Sequence, residues 1–154
     1  MDALIELAKK IIALDPNALV NAVLSDPFTQ KWILDLNFQD QLFKDGIDID
    51  GKILKSHVAK EGNFYADSTI KIKKRKGQPV DRVTLKDTGE FYDSSKIDLD
   101  SDGFEIEADD LKNGFNLVKR WGPVLGLTKE NTALLIEYIK DEITPIILNN
   151  ILDV

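Results

Sequence analysis

Residues 82–95 read Arg-Val-Thr-Leu-Lys-Asp-Thr-Gly-Glu-Phe-Tyr-Asp-Ser-Ser, so that a turn separates a short β-rich run from an aromatic pair. The turn residues are Asp87, Thr88 and Gly89, and the aromatic pair is Phe91 and Tyr92. Glycine permits the backbone conformation that reverses a chain, and Asp or Thr side chains hydrogen-bond within such turns. We expect the turn to place the aromatic pair on the core and so to hold an assembly surface in position. An ordinary turn without an assembly role is the alternative.

Composition is that of a soluble globular protein. The 154 residues suit one domain, with 43% hydrophobic and 31% charged residues. The absence of cysteine excludes disulfides, thiolate metal ligands and thiol nucleophiles. No apolar run approaches the roughly 20 residues of a membrane helix, and the first residues do not resemble a secretory leader. We therefore expect an intracellular chain without a membrane partner.

Charge is segregated along the sequence, although the net charge is −7. A basic segment, residues 71–86, contains Lys71, Lys73, Lys74, Arg75, Lys76, Arg82 and Lys86 against one Asp. An acidic segment, residues 93–110, contains eight Asp and Glu against one Lys. Complementary potentials fix partner choice and register, so one interpretation is head-to-tail docking of identical subunits into a ring. Two solvated loops are the plainer interpretation.

Helices are predicted over the first 45 residues. Apolar residues at helical spacing indicate helices over residues 3–14, 16–24 and 28–43, and two Asp-Pro pairs provide the starts of the second and third. Gly46 would end the third helix in a left-handed conformation. That helix is expected to bury Phe28, Trp32, Ile33, Leu36 and Phe43 or their neighbours.

Strands and loops are predicted over residues 46–108. Residues 46–62 read as an irregular connection with one short strand at 52–54. Alternation of polar and apolar residues predicts a strand over residues 68–73, followed by a mobile basic loop as far as Pro79. A β-hairpin is predicted around Asp102-Gly103, because Ile97, Leu99, Phe104 and Ile106 alternate with acidic residues.

Residues 109–154 are predicted to be helical again. A weak helix covers residues 109–118 and stops at Trp121-Gly122-Pro123, and Thr128 caps a long final helix that Pro145 kinks or interrupts. We expect a neighbour to cover the apolar residues 146–154. The whole chain is thus predicted to be a single α+β domain, with N-terminal helices, a small mainly antiparallel sheet and a long C-terminal helix.

The acidic segment partly matches a calcium loop. Asp98, Asp100 and Asp102 take its first, third and fifth positions, and Asp109 takes the twelfth. The twelfth residue is normally the longer, bidentate Glu, and the flanks here alternate like strands where the motif requires helices. We therefore assign no metal and no cofactor, and keep a calcium-binding module as an alternative function.

Catalysis has little support in the sequence. His57 is the single histidine, so it cannot form a histidine metal cluster, and the chain has no glycine-rich phosphate loop. Carboxylates abound without a distinctive spacing, and we expect the protein not to be an enzyme. The basic segment lies near Phe64 and Tyr65, and basic residues beside aromatics can pair phosphates and stack bases. A nucleic-acid-binding module is the other alternative.

Three features in a fixed order resemble the virion morphogenesis or tail-completion proteins of tailed phages, a family of small head-tail joining components. The Lys-rich residues 71–77 precede residues 85–94, which look like the family's Leu-x-x-Thr-Gly-x-Leu-x-x-Ser core with Phe91 in place of the second Leu. After a hairpin, residues 120–131 are similar to the family's Leu-Gly-Leu-Thr start of a C-terminal helix. The family's tyrosine-alanine segment is missing, and the region before Gln41 has no counterpart.

The resemblance implies a non-enzymatic structural subunit of the virion that acts at the head-tail junction, or neck, or in tail completion. Its partners would be sibling chains in a hexameric or larger ring and other phage neck or tail proteins. A basic segment facing the lumen would touch packaged DNA without reading its sequence. The protein would be assembled in the host cytoplasm and reside in the virion.

Overall fold

The computed structural model describes residues 2–112 and 114–152, which form helices and two small antiparallel sheets of two strands each. The chain opens with helices α1 (Asp2–Ala13), α2 (Pro16–Ser25) and α3 (Pro27–Asp35), and a π-helix continues α3 over Leu36–Asp45. Helices α4 (Asp67–Arg75) and α5 (Glu90–Asp93) precede the strands β1 (Lys96–Leu99), β2 (Phe104–Glu107), β3 (Leu111–Lys112) and β4 (Phe115–Asn116). Helices α6 (Leu117–Trp121) and α7 (Lys129–Leu152) follow. The predicted α+β class with a long C-terminal helix is confirmed.

Local capping explains why the N-terminal helices were predictable. The Asp15 carboxylate accepts a hydrogen bond from the Asn17 N–H at 3.0 Å, and Asp26 accepts one from the Thr29 N–H at 3.0 Å. Gly46 ends the third helical stretch with φ of 65°, as predicted. The π-helical winding of its second half was not predicted.

Phe28 is not a core residue, contrary to the prediction. Its side chain is 82% exposed, whereas Thr29 and Ile33 are buried. Residues four apart share one face of a helix, so the pair at 29 and 33 defines the inward side and Phe28 lies off it. The other residues predicted for this core, Trp32, Ile33, Leu36 and Phe43, are buried or half-buried.

The predicted strand at residues 68–73 is wrong, because this stretch lies in α4. Helical winding brings Ile70 and Lys73 to the inner side and leaves Ile72 exposed, so the apolar alternation did not report a pleat. Asp67 in the first turn and the basic residues in the last turn suit the helix dipole. The basic segment is therefore largely helical, and the loop begins only at Lys76. Around residues 52–54 the structure has a single isolated bridge between Ile47 and Ile53.

The predicted acidic hairpin is confirmed. Strands β1 and β2 pair with Ile97 opposite Ile106 and Leu99 opposite Phe104, and β1 packs against α2 and α3. The apolar side of the hairpin therefore faces helices, as expected.

The predicted helix over residues 109–118 is wrong. Leu111 and Lys112 pair with Asn116 and Phe115 in a second, very short hairpin, and helix α6 begins only at Leu117. Gly114 has φ of 78°, a left-handed conformation that turns the chain and that a helix interior does not contain.

Helix α7 begins where the sequence indicated. The Thr128 hydroxyl accepts a hydrogen bond from the Asn131 N–H at 3.2 Å, and the helix passes through Pro145 without ending. Of its apolar residues, Leu135 is buried, and Tyr138 packs against Trp32 with ring centroids 5.1 Å apart. Within the described ranges, none of the helices combines the length and the apolarity needed to cross a bilayer.

Candidate functional site

The Asp87-Thr88-Gly89 turn leads directly into helix α5 and the aromatic pair. Gly89 has φ of 100°, and the Glu90 N–H lies 3.5 Å from the Thr88 hydroxyl. Phe91 and Tyr92 are each 6% exposed, and both rings pack edge-on against Phe38 at centroid distances of 5.4 and 5.0 Å. The expected position of the aromatic pair in the core is confirmed, and the assembly role of the turn stays a prediction.

Two buried tyrosines form hydrogen bonds with the backbone of Thr84, in the β-rich run that precedes the turn. The Thr84 N–H donates to the Tyr65 hydroxyl at 3.0 Å, and the Tyr92 hydroxyl donates to the Thr84 carbonyl. Burial raises the pKa of both phenols, so they stay neutral donors and acceptors at physiological pH. This stretch forms no strand, and Leu85 has φ of 53°.

Asp87 connects three parts of the fold. Its carboxylate oxygens lie 2.5 Å from Lys76 Nζ and 2.9 Å from Lys112 Nζ, and its carbonyl accepts a hydrogen bond from Gln78 Nε2 at 2.8 Å. Hydrogen bonds from Lys76 and Lys112 lower the pKa of Asp87 to about 2. The end of α4, the turn and strand β3 thus meet at one carboxylate.

Lys73 is the buried member of the basic segment, with 8% exposure. Its ammonium group donates to Gln78 Oε1 at 3.2 Å and to the Lys86 carbonyl at 3.3 Å, and lies 5.0 Å from the Tyr65 ring centroid. Burial lowers the pKa of Lys73, and the nearby ammonium groups of Lys112 and Lys76 lower it further. We name Lys73, Lys76, Lys112 and Asp87 the lysine cluster.

The remaining basic residues have different roles. Arg82 donates from Nε to the Phe43 carbonyl at 2.6 Å and pairs with Asp81 at 2.7 Å, so it anchors its loop to the π-helix. Lys71, Lys74 and Arg75 are exposed on α4, and no carboxylate of the described chain forms an ion pair with them. The residues of the predicted basic site therefore have three different surroundings. Lys73 and Lys76 belong to the lysine cluster, Arg82 binds the π-helix, and Lys71, Lys74 and Arg75 are exposed on α4.

The acidic hairpin carries exposed carboxylates at its tip. Asp98, Asp100 and Asp102 form no ion pair with a described lysine or arginine, while the Asp100 carboxylate accepts a hydrogen bond from the Asp102 N–H at 2.7 Å. Asp109 lies beyond β2, where it accepts from the Leu111 N–H at 3.2 Å. Strands flank the loop, and among the residues the structure describes no group of three His, Asp or Glu is placed to hold a metal ion.

Helices α1 and α7 leave apolar side chains uncovered. On α1, Leu4, Ile5, Ile11 and Ile12 are 49 to 82% exposed. On the last turns of α7, Ile146, Leu148 and Leu152 are 40 to 62% exposed. The two helices pack against each other. On α7, Leu148 and Leu152 lie on one side of the helix and Ile146 on another, because residues two apart point in nearly opposite directions. We name them the apolar face.

Sequence reasoning missed Lys112 and the apolar residues of α1 as functional candidates. Lys112 was assigned to a helix, where nothing linked it to the turn 25 residues earlier. The apolar residues of α1 served only to predict a helix, because a sequence alone does not show whether a helix face is covered by the rest of the chain. Neither a known protein family, nor a curated protein, nor a solved structure matches this chain.

Proposed function

We propose that the protein is a non-enzymatic structural subunit of a tailed-phage virion that acts at the head-tail junction or in tail completion through ring assembly. The observation that carries the proposal is the apolar face. Soluble monomers rarely expose contiguous apolar patches beyond a few hundred Å², and larger ones mark interaction sites. A side chain such as Ile12, 82% exposed, gains most of its burial free energy only when a partner covers it.

Charge supports the same proposal. The exposed face of α4 carries Lys71, Lys74 and Arg75, which form no ion pair with a carboxylate among the described residues. The hairpin tip likewise carries acidic residues that no described lysine or arginine pairs with. Two different, complementary surfaces on one subunit allow a head-to-tail contact, which closes into a ring when the rotation per subunit permits. The resemblance of residues 85–94 and 120–131 to head-tail joining proteins is what favours a phage particle over another ring.

The test is complementation in a phage whose genome encodes the chain. A stop codon in its gene should leave filled heads and free tails, or heads without a completed tail, under negative-stain electron microscopy. Wild-type protein supplied in trans should restore joined particles, and Ile12→Glu should not. Val58→Glu, at a 56% exposed apolar site outside the apolar face, is the control and should restore them.

Circular dichroism of both purified variants establishes that each is folded. Normal joined particles in the absence of the protein would refute the head-tail role. Full rescue by Ile12→Glu would instead refute the apolar face as the assembly surface.

A second candidate function is non-specific contact with packaged DNA. It is favoured by the exposed Lys71, Lys74 and Arg75, which need no rearrangement to reach phosphates. Duplex DNA binding measured at increasing salt should weaken steeply, and charge reversal at Lys74 should reduce both the affinity and the salt slope. Salt-independent binding would contradict it.

A further inference from the structure

Helix α1 carries one continuous apolar stripe. It consists of Leu4, Ile5, Ala8, Ile11 and Ile12, which follow one another at helical spacing and therefore share one face of the helix. All five residues are exposed, Leu4 to 70% and Ile12 to 82%. We name these five residues the α1 stripe. We infer that the α1 stripe pairs with the α1 stripe of a second copy of this chain, in antiparallel orientation about a two-fold axis at Ala8.

The α1 stripe is symmetric about Ala8. Leu4 and Ile12 lie four residues before and after it, and Ile5 and Ile11 lie three residues before and after it. A two-fold contact is self-complementary, because each residue meets the same partner position in both directions. Antiparallel pairing centred on Ala8 thus sets each leucine against an isoleucine at the ends and brings the two small alanines together in the middle. Small side chains at the crossing point allow two helices to approach to about 8 Å.

A different side of α1 faces the rest of the chain. Helix α1 packs against α7, and its half-buried residues Leu7 and Leu14 lie seven positions apart on a side away from Ile5 and Ile12. Exposed apolar side chains in a contiguous patch mark an interaction surface. The α1 stripe is therefore available to a second copy without rearrangement of the fold.

Charge on α1 favours the antiparallel orientation. Glu6 precedes the centre at Ala8, whereas Lys9 and Lys10 follow it. Antiparallel pairing places the acidic half of each helix beside the basic half of the other, and it also opposes the two helix dipoles. Parallel pairing would place like halves together. Glu6 and Lys9 form an exposed ion pair at 3.8 Å and lie outside the α1 stripe, so pairing need not bury them.

A membrane surface is the other occupant that an amphipathic helix can have. Helices that lie on membranes carry an excess of Lys and Arg on the polar face, which attracts anionic lipids. In α1 the two lysines are offset by Asp2 and Glu6, so the helix sequence has no such excess. The symmetry of the α1 stripe is also of no use against a lipid surface. Both observations favour a second copy of the chain.

The predicted contact is short and closed. A helix of 12 residues spans about 18 Å, so we expect a dimer that dissociates on dilution and not an obligate one. A two-fold contact ends at two subunits, whereas the head-to-tail contact of a ring continues from subunit to subunit. The pairing therefore concerns the free protein, and it does not depend on the proposed role in a phage particle.

Single-cysteine variants test the geometry cleanly, because the wild-type chain has no cysteine. Ala8→Cys should form a disulfide-linked dimer under mild oxidation, since a disulfide requires Cα atoms within about 7 Å and only the central position meets itself. Leu4→Cys and Ile12→Cys should each stay unlinked alone and should link when the two variants are mixed. Ala13→Cys, at an exposed position of α1 outside the α1 stripe, is the matched control and should stay unlinked.

Sedimentation velocity over a range of concentrations tests the association itself. The wild-type chain should shift from monomer to dimer as its concentration rises. Ile12→Glu should weaken the dimer at least about a hundredfold, because each dimer would then bury two carboxylates. Ala13→Glu is the matched control and should associate like the wild type. Circular dichroism establishes that both variants are folded.

The possible results separate the inference from its alternatives. A wild-type chain that stays monomeric at every concentration would overturn it, and so would Ala8→Cys that does not link. Linking of Leu4→Cys alone as readily as Ala8→Cys would overturn it in favour of parallel pairing. Binding to vesicles of phosphatidylglycerol and phosphatidylcholine without self-association would overturn it in favour of a membrane surface. If no dimer forms while Ile12→Glu still fails to restore phage particles, the inference fails and the proposed function does not.

Discussion

The side-chain amide of Asn37 donates a hydrogen bond to the backbone carbonyl of Val124 at 3.0 Å, and so joins the π-helix to a segment 87 positions further along the chain. Gln41 makes the same kind of contact one turn later. Its Nε2 donates to the Gly126 carbonyl at 2.9 Å, and its Oε1 accepts from the Thr128 N–H at 2.8 Å. Residues 122–128 lie in neither helix nor strand, and two buried amides satisfy their backbone instead.

Gln41→Leu should therefore destabilise the fold severely. Leucine has a similar size but leaves the Gly126 carbonyl and the Thr128 N–H buried without partners, at about 1–3 kcal/mol each. We expect a loss of about 3 kcal/mol in the free energy of unfolding, measured by urea denaturation. Gln39→Leu, at an exposed position of the same π-helix, is the control and should change stability by about 0.5 kcal/mol or less. Equal losses in the two variants would show that the amide network does not hold the segment.

These amides also show where sequence reasoning stops. The starts of α2 and α3 were predictable because Asp15 and Asp26 cap helices two or three residues away. Asn37 and Gln41 resemble surface residues, since the groups that justify their burial are supplied by a remote segment. The partners of a buried polar residue follow from the tertiary fold and not from local spacing.

The sequence predicted only part of the candidate functional site. The Gly89 turn, the aromatic pair and the acidic hairpin follow from local turn residues and alternation. The lysine cluster does not, because the contact between Lys112 and Asp87 joins residues 25 positions apart, and the pairing of β3 with β4 was not predicted. The alternation of Ile70 and Ile72 led to the wrong prediction of a strand. Residues 70 and 73 lie on the inner face of helix α4, and a stretch with only two apolar residues is too short to distinguish the spacing of a helix from that of a strand.

Gly89→Val should lower stability by about 1–3 kcal/mol, because valine is strained at φ of 100°. A Cβ at this position would meet Asp93 Oδ2 at 3.4 Å, an ordinary contact, so the backbone and not crowding sets the cost. Gly89→Asn should cost less, since asparagine tolerates left-handed conformations better. Thermal unfolding of the two variants measures the difference. An equal loss in both would show that the side chain and not the backbone is responsible.

Acid should weaken the fold through Asp87. Its pKa is about 2 in the folded protein and 3.8 ordinarily, so its stabilising contribution is fully present above about pH 4 and disappears as the pH falls towards 2. The side chain is 38% exposed, and solvent screening leaves the contribution at about 1 kcal/mol or less. Urea denaturation should therefore separate wild type from Asp87→Asn at neutral pH, and the two should converge near pH 2.

Lys76→Met should flatten the same pH dependence in part, because Lys76 is the largest cause of the lowered pKa of Asp87. A difference between wild type and Asp87→Asn that persists unchanged at the lowest pH would contradict this role of the carboxylate.

Pro145→Ala should stabilise the isolated subunit. Proline in the interior of α7 cannot donate to the carbonyl of Asp141, and its ring crowds that turn of the helix. Position 145 is exposed, so alanine loses little packing and should raise the free energy of unfolding by about 1–3 kcal/mol. Asn149→Ala, exposed one turn later, is the control and should gain only about 0.5 kcal/mol. Helical content from circular dichroism and urea denaturation together check the prediction. A variant that loses stability would contradict the prediction. Ile146, Leu148 and Leu152 follow Pro145 directly, so a variant that gains stability but no longer completes phage particles would show that Pro145 sets the direction of the apolar face.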